Sequence, residues 1–80
     1  MINTLTVSEL VDMILCIRKQ LEEYDTASYD VANDLAIGVE WFEDKYHIYI
    51  LDVETGCPDD FIASYETLCA VESKLAEMFM

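Results

Sequence analysis

The chain has 80 residues, 54% of them apolar, and sets 17 Asp and Glu against four Lys and Arg for a net charge of −13. The apolar fraction is ample for a core and argues against intrinsic disorder. A charge this negative repels phosphate and argues against direct binding to nucleic acid. No stretch approaches the roughly 18 apolar residues that a membrane-spanning helix needs.

Met1-Ile2-Asn3-Thr4 lacks the basic start of a secretory leader, and Glu9 and Asp12 interrupt the apolar run behind it. Cys16, Cys57 and Cys69 form an odd set without C-x-x-C spacing, which points to a reduced, cytoplasmic setting. With two Gly, one Pro and no repeat, the length fits one acidic domain spanning residues 1–80. The charge is uneven along that span. Residues 1–21 are neutral and 61–80 carry −2, whereas residues 22–60 hold twelve acids against Lys45 alone. Repulsion of that kind opposes compaction unless burial outweighs it or a partner relieves it.

Thr6-Val7-Ser8-Glu9 has the form of a capping box, in which a hydroxyl and a carboxylate three residues apart satisfy each other's backbone amides. Val7, Leu10, Val11, Ile14, Ile17 and Leu21 recur behind it at helical spacing, predicting an amphipathic helix over about 7–24. Residues 25–35 read as a loop with one helical turn, and a third short strand at 29–33 is compatible with the pattern. Ile37, Val39 and Trp41 alternate with Gly38, Glu40 and Phe42, and Tyr46 to Leu51 is β-branched and aromatic. Two such runs around a short polar link predict a β-hairpin, 36–42 and 46–53. Pro58-Asp59-Asp60 fits a helix start, followed by Phe61, Ile62, Tyr65, Leu68, Val71 and Leu75, so a second helix is expected over 58–78. The expected fold is α+β, in the order α-β-β-α, with both helices on one face of the hairpin.

Each predicted helix carries one charge within its apolar arc, Arg18 and Glu72. Either each lies at the arc's edge and reaches water along its stem, or the two meet as an ion pair between the helices.

Catalytic patterns are weak. His47 is the only histidine and stands mid-strand, and no cysteine spacing selects a nucleophile–base pair. Cys16 falls on the polar side of its helix and Cys69 in an apolar arc. Asp52-Val53-Glu54-Thr55-Gly56 with Asp59-Asp60 superficially resembles a calcium loop, but Gly56 is at position five rather than six and the tail is apolar. Glu43-Asp44 is a carboxylate pair of the sort that chance supplies among 17 acids, and a domain this small offers little room for a cleft of a few hundred Å³. No catalytic residue, metal or cofactor is expected.

The charge field itself carries the functional expectation. Asp30, Asp34, Glu40, Glu43, Asp44, Asp52 and Glu54, interleaved with Trp41, Tyr46 and Tyr49, form the expected partner-binding set on the side away from the neutral first helix. Spaced carboxylates imitate a phosphate row, and Tyr and Trp are enriched in binding hot spots. In size and charge the chain is similar to small acidic inhibitors made by phages and mobile elements, including anti-restriction and anti-CRISPR proteins. That similarity is one of composition. The expected function is therefore non-enzymatic: a nucleic-acid mimic that occupies the basic, nucleic-acid-binding surface of another protein. The alternative is a structural or assembly subunit, a homodimer among the options, associating through apolar helix faces. The bulky end Met78-Phe79-Met80 motivates it.

Overall fold

The structure, a computed structural model, describes residues 5–31 and 35–79. Its elements are α1 (Val7–Glu23), β1 (Thr26–Asp30), β2 (Leu35–Phe42), β3 (Lys45–Asp52), β4 (Pro58–Tyr65) and α2 (Leu68–Phe79). The four strands form one antiparallel sheet in the order β1-β2-β3-β4. The α+β class holds, but the order is α-β-β-β-β-α, so the expected hairpin is only the middle of the sheet.

Helix α1 starts where its capping box predicts. The Glu9 amide donates to Thr6 Oγ1 and the Thr6 amide to Glu9 Oε1, both at 3.1 Å. It ends at Tyr24, whose backbone turns extended while its N–H still reaches the Gln20 carbonyl at 2.8 Å. Leu10, Met13 and Ile17 are buried. The apolar arc is wider than the buried face, because Val7, Val11 and Leu15 remain exposed at four-residue spacing.

Residues 26–30, expected as loop with at most a strand at 29–33, pair with β2 from Thr26↔Glu40 to Asp30↔Ala36. Thr26, Ala27, Ser28 and Tyr29 alternate between exposed and covered sites, a period that a helical turn cannot use. The hydrogen bonds Trp41 N–H to Asp25 O and Val31 N–H to Leu35 O set the phase of this ladder. By that phase, the Ser28 amide and carbonyl point away from β2 at the sheet's edge. Both are met by the Gln20 side chain of α1, which accepts from Ser28 N–H at 3.1 Å and donates to Ser28 O at 2.9 Å. A glutamine amide thus closes an edge that would otherwise invite another strand.

The larger correction is at 58–65, where a strand replaces the expected first half of helix two. Phe61, Ile62 and Tyr65 suit a pleated surface as well as a helix stripe, and β3 needed a partner on its free side. Pro58 opens the strand, where a missing N–H is tolerated. The register with β3 slips at Ile62 and Asp59, leaving an extra residue on β4 at each place. The helix begins after Thr67, whose Oγ1 accepts the Ala70 amide at 3.2 Å.

Ile37, Val39, Ile48, Ile50 and Ala27 from one sheet face meet Leu10, Met13, Ile17, Val71, Leu75 and Phe79 from the helices. Phe79 is 1% exposed and Met78 is partly buried against the core, so these two bulky residues are covered by the chain itself. Met80 lies outside the described residues. Cys69, expected on an apolar face, is exposed, because α2 buries Val71, Leu75 and Phe79 along a different stripe.

Arg18 and Glu72 do meet, with Nε to Oε2 at 2.8 Å, bridging the two helices. Their side chains are 46% and 19% exposed, so the pair lies at the rim of the helix interface rather than inside it.

Candidate functional site

A sheet whose helices cover one face presents the other to solvent, and strand alternation decides which side chains appear there. The register aligns three rows on the uncovered face: Thr26, Glu40, His47 and Ser64; then Ser28, Gly38, Tyr49 and Phe61; then Asp30, Ala36, Leu51 and Pro58. Aromatic groups cluster at one side of this face. Tyr49 and Phe61 are edge-on with centroids 5.5 Å apart, and His47 is 6.4 Å from both Phe61 and Phe42. Phe42 and Phe61 are each more than half exposed.

Gly38 is the low point of the face. A Cβ there would come within 2.8 Å of Leu51 Cδ1, so Leu51 leans directly over the glycine. Around it lies an open cleft of about 340 Å³, whose lining includes Thr26, Gly38, Glu40, Tyr49, Leu51 and Pro58. A second hollow of about 170 Å³ lies on the other side of Leu51, over Ala36, with Asp30 and Asp52 in its wall. A domain this small was expected to offer little room for a cleft of a few hundred Å³, and the first hollow reaches that size only as an open depression. The space comes from two small residues, Ala36 and Gly38, placed successively on an open sheet face.

The residues expected to bind a partner do not share one surface. Asp30, Glu40 and Tyr49 lie in the uncovered rows. Trp41 and Tyr46 follow Ile37, Val39 and Ile48 at period two, so they pack against each other toward the helix side, ring centroids 4.5 Å apart and tilted, and stay half-buried. Glu43 and Asp44 form the two-residue turn at one end of β2–β3, with φ of 53° and 63°. Positive φ at both positions defines the hairpin turn type that Asn and Gly favour. Asp52 and Glu54 lie at the opposite end, where Asp52 Oδ1 accepts the Glu54 amide at 2.9 Å. Asp34 falls outside the described residues. The acids therefore frame the sheet at both ends, with a largely apolar middle between.

Gly38, Leu51 and Phe61 also shape this site, although the charge pattern along the chain does not mark them. The signal was present for the first, since a glycine inside a strand often marks a close approach. Phe61 was hidden by the helix assignment.

Local contacts neutralise little of this charge. Both ion pairs among the described residues, Arg18–Glu72 and Lys74–Glu77, join the helices or lie within one, and neither involves an acid of residues 22–60. Glu22 and Glu23 close α1 with no basic residue in its last turn, against the preference of the helix dipole. Among the described residues two groups have shifted titration. The Thr6 backbone amide, and then its side chain, hold the Glu9 carboxyl below its ordinary value. The hydrogen bond from Tyr29 to Asp12, at 2.8 Å, raises the Tyr29 hydroxyl.

One arrangement has the outline of a nucleophile and base. His47 Nδ1 is 2.7 Å from Ser64 Oγ, and His47 Nε2 is 3.0 Å from the Phe42 carbonyl oxygen. A carbonyl can only accept, so Nε2 is the donor to Phe42, and in the neutral ring tautomer this leaves Nδ1 to accept from Ser64. These are cross-strand neighbours, and neither lines the cleft over Gly38. Among the described residues no three His, Cys, Asp or Glu side chains converge as metal ligands, and no helix is long and apolar enough to cross a membrane. The chain matches no protein-family model, and no curated protein and no solved structure is detectably similar to it.

Proposed function

We propose that this chain is a non-enzymatic binding protein whose uncovered sheet face, framed by carboxylates at both ends, occupies a basic, nucleic-acid-binding surface of another protein and blocks it, as small anti-restriction and anti-CRISPR inhibitors do. The observation that carries the reading is a block of carboxylates kept without cations. Residues 22–60 hold twelve acids and one lysine, and neither ion pair among the described residues draws on them. Such a surface is repelled by itself and attracted at long range by any cleft built for phosphate. Exposed Phe61 and half-buried Tyr49 supply contact area between the acidic ends. The Ser64–His47 pair does not line the cleft, which favours binding over catalysis.

The test is capture of basic, nucleic-acid-binding proteins by the wild-type chain and by the Glu40→Lys, Glu43→Lys variant. The expected result is a partner that loses its nucleic acid in the complex and is released at about 0.5 M salt, where screening extends only a few Å. Partners that the charge reversal leaves unchanged would remove the proposal. The exposed stripe Val7, Val11 and Leu15 on α1 favours a second reading, assembly through helix faces. Its mark is self-association, seen by sedimentation, that added salt does not weaken.

A further inference from the structure

The two hollows on the uncovered face have the same construction. Each is lined by a small residue, Gly38 beneath Leu51 in one and Ala36 in the other, and the two share Leu51 as an apolar wall. Carboxylates stand at the sides: Glu40 beside the first, Asp30 and Asp52 beside the second. An apolar slot with an acid at its side matches a long cationic side chain, whose stem packs on carbon while its head stays polar. Tyr49 in the first hollow adds a ring face on which a guanidinium can stack. Gly38 and Ala36 are two apart on one strand, so their Cα atoms lie roughly 7 Å apart, which is also the spacing of alternate side chains along an extended chain.

From these matches we infer that the uncovered face receives an extended segment of the partner in which two arginines alternate with another residue, one entering each hollow on either side of Leu51. The inference rests on the proposed function and sharpens it. The partner is read by the spacing of its cations as well as by their number.

Two peptides of equal charge separate these ideas: Ac-Ala-Arg-Ala-Arg-Ala-NH2, and an isomer with the arginines adjacent. Each is titrated into isotopically labelled protein, following the amide resonances. The alternating peptide is expected to bind roughly tenfold tighter than its isomer, a difference of one well-formed charge contact. Its shifts should centre on Ala36, Gly38, Tyr49 and Leu51. Glu40→Gln, which keeps shape and removes charge, should erase most of that preference. Gly38→Ala, which drives Leu51 out of its present position, should do the same, with its thermal unfolding recorded beside it. Equal binding of the isomers, with shifts confined to Glu43–Asp44 and Glu54–Asp60, overturns the paired-hollow inference and leaves the acidic-face reading standing. If neither peptide binds and no basic protein is captured, both fall.

Discussion

The same four strands present two faces with opposite physical characters. Toward the helices they show Ile37, Val39, Ile48 and Ile50, all buried, and no polar or charged residue is buried among the described residues. Away from the helices they show Ala36, Gly38, Tyr49, Leu51 and Phe61, framed by carboxylates. One face is filled to exclude water, while the other has space left over small residues and charge left without partners. Stability resides in the first, and recognition is proposed for the second. A mutation's effect therefore depends on the face more than on the residue type.

Two phenylalanines give the largest contrast. Phe79→Ala opens a cavity at a site that is 1% exposed and should cost about 3–5 kcal/mol, read as a lower urea midpoint at unchanged slope. Phe61→Ala, at a site 52% exposed, should cost about 1 kcal/mol or less, chiefly its edge contact with Tyr49. Equal losses would mean that the uncovered face is structural core as well.

Next in size is the turn between β2 and β3. Glu43 and Asp44 adopt positive φ without being Asn or Gly, so replacing them with Asn and Gly should gain about 1–2 kcal/mol. The same change removes two carboxylates from one end of the acidic frame. Stability is therefore expected to rise while affinity for a basic partner falls, and a joint rise in both would break the division between the faces.

Thr6→Ala should cost about 1 kcal/mol by opening the capping box. The Glu9 carboxyl has a folded pKa below its unfolded value, so its contribution is present above about pH 4.3 and is lost as pH falls through the folded pKa. Glu9→Gln should flatten that part of the acid limb in urea midpoints measured between about pH 6 and pH 3. Neither change should alter partner affinity, since both sites lie on α1.

Smallest is the pair at the helix rim. A double-mutant cycle on Arg18→Ala and Glu72→Ala should give a coupling of about 0–1 kcal/mol, because the Arg18 side chain is nearly half exposed. A coupling of 3 kcal/mol or more, the order expected of a buried pair, would show that solvent screens it far less than its exposure implies.

Local signals that involve near neighbours were legible in the residues themselves. The Thr6–Glu9 box, the period of α1 and the alternation of β2 and β3 each rest on contacts within a few residues, and each element is found within a residue or two of its expected place. The segment Pro58 to Tyr65 was not legible, because its apolar residues satisfy both periods and its choice was made by the free side of β3. The same holds for Thr26 to Asp30, whose pairing depends on β2 and whose outer edge depends on Gln20, eight residues before Ser28.

Composition and order along the chain by themselves determined the charge, its concentration between residues 22 and 60, and the first helix with its cap. Only the tertiary arrangement puts Glu43 and Asp44 at one end of the sheet, Asp52 and Glu54 at the other, and Trp41 and Tyr46 toward the helices. It also decided that Gly38, Ala36 and Leu51 shape two hollows on an uncovered face. The reason is physical: charge is a property of a residue, whereas a surface is set by which strands pair, and a strand reveals its face only once its neighbours and the helices over it are in place.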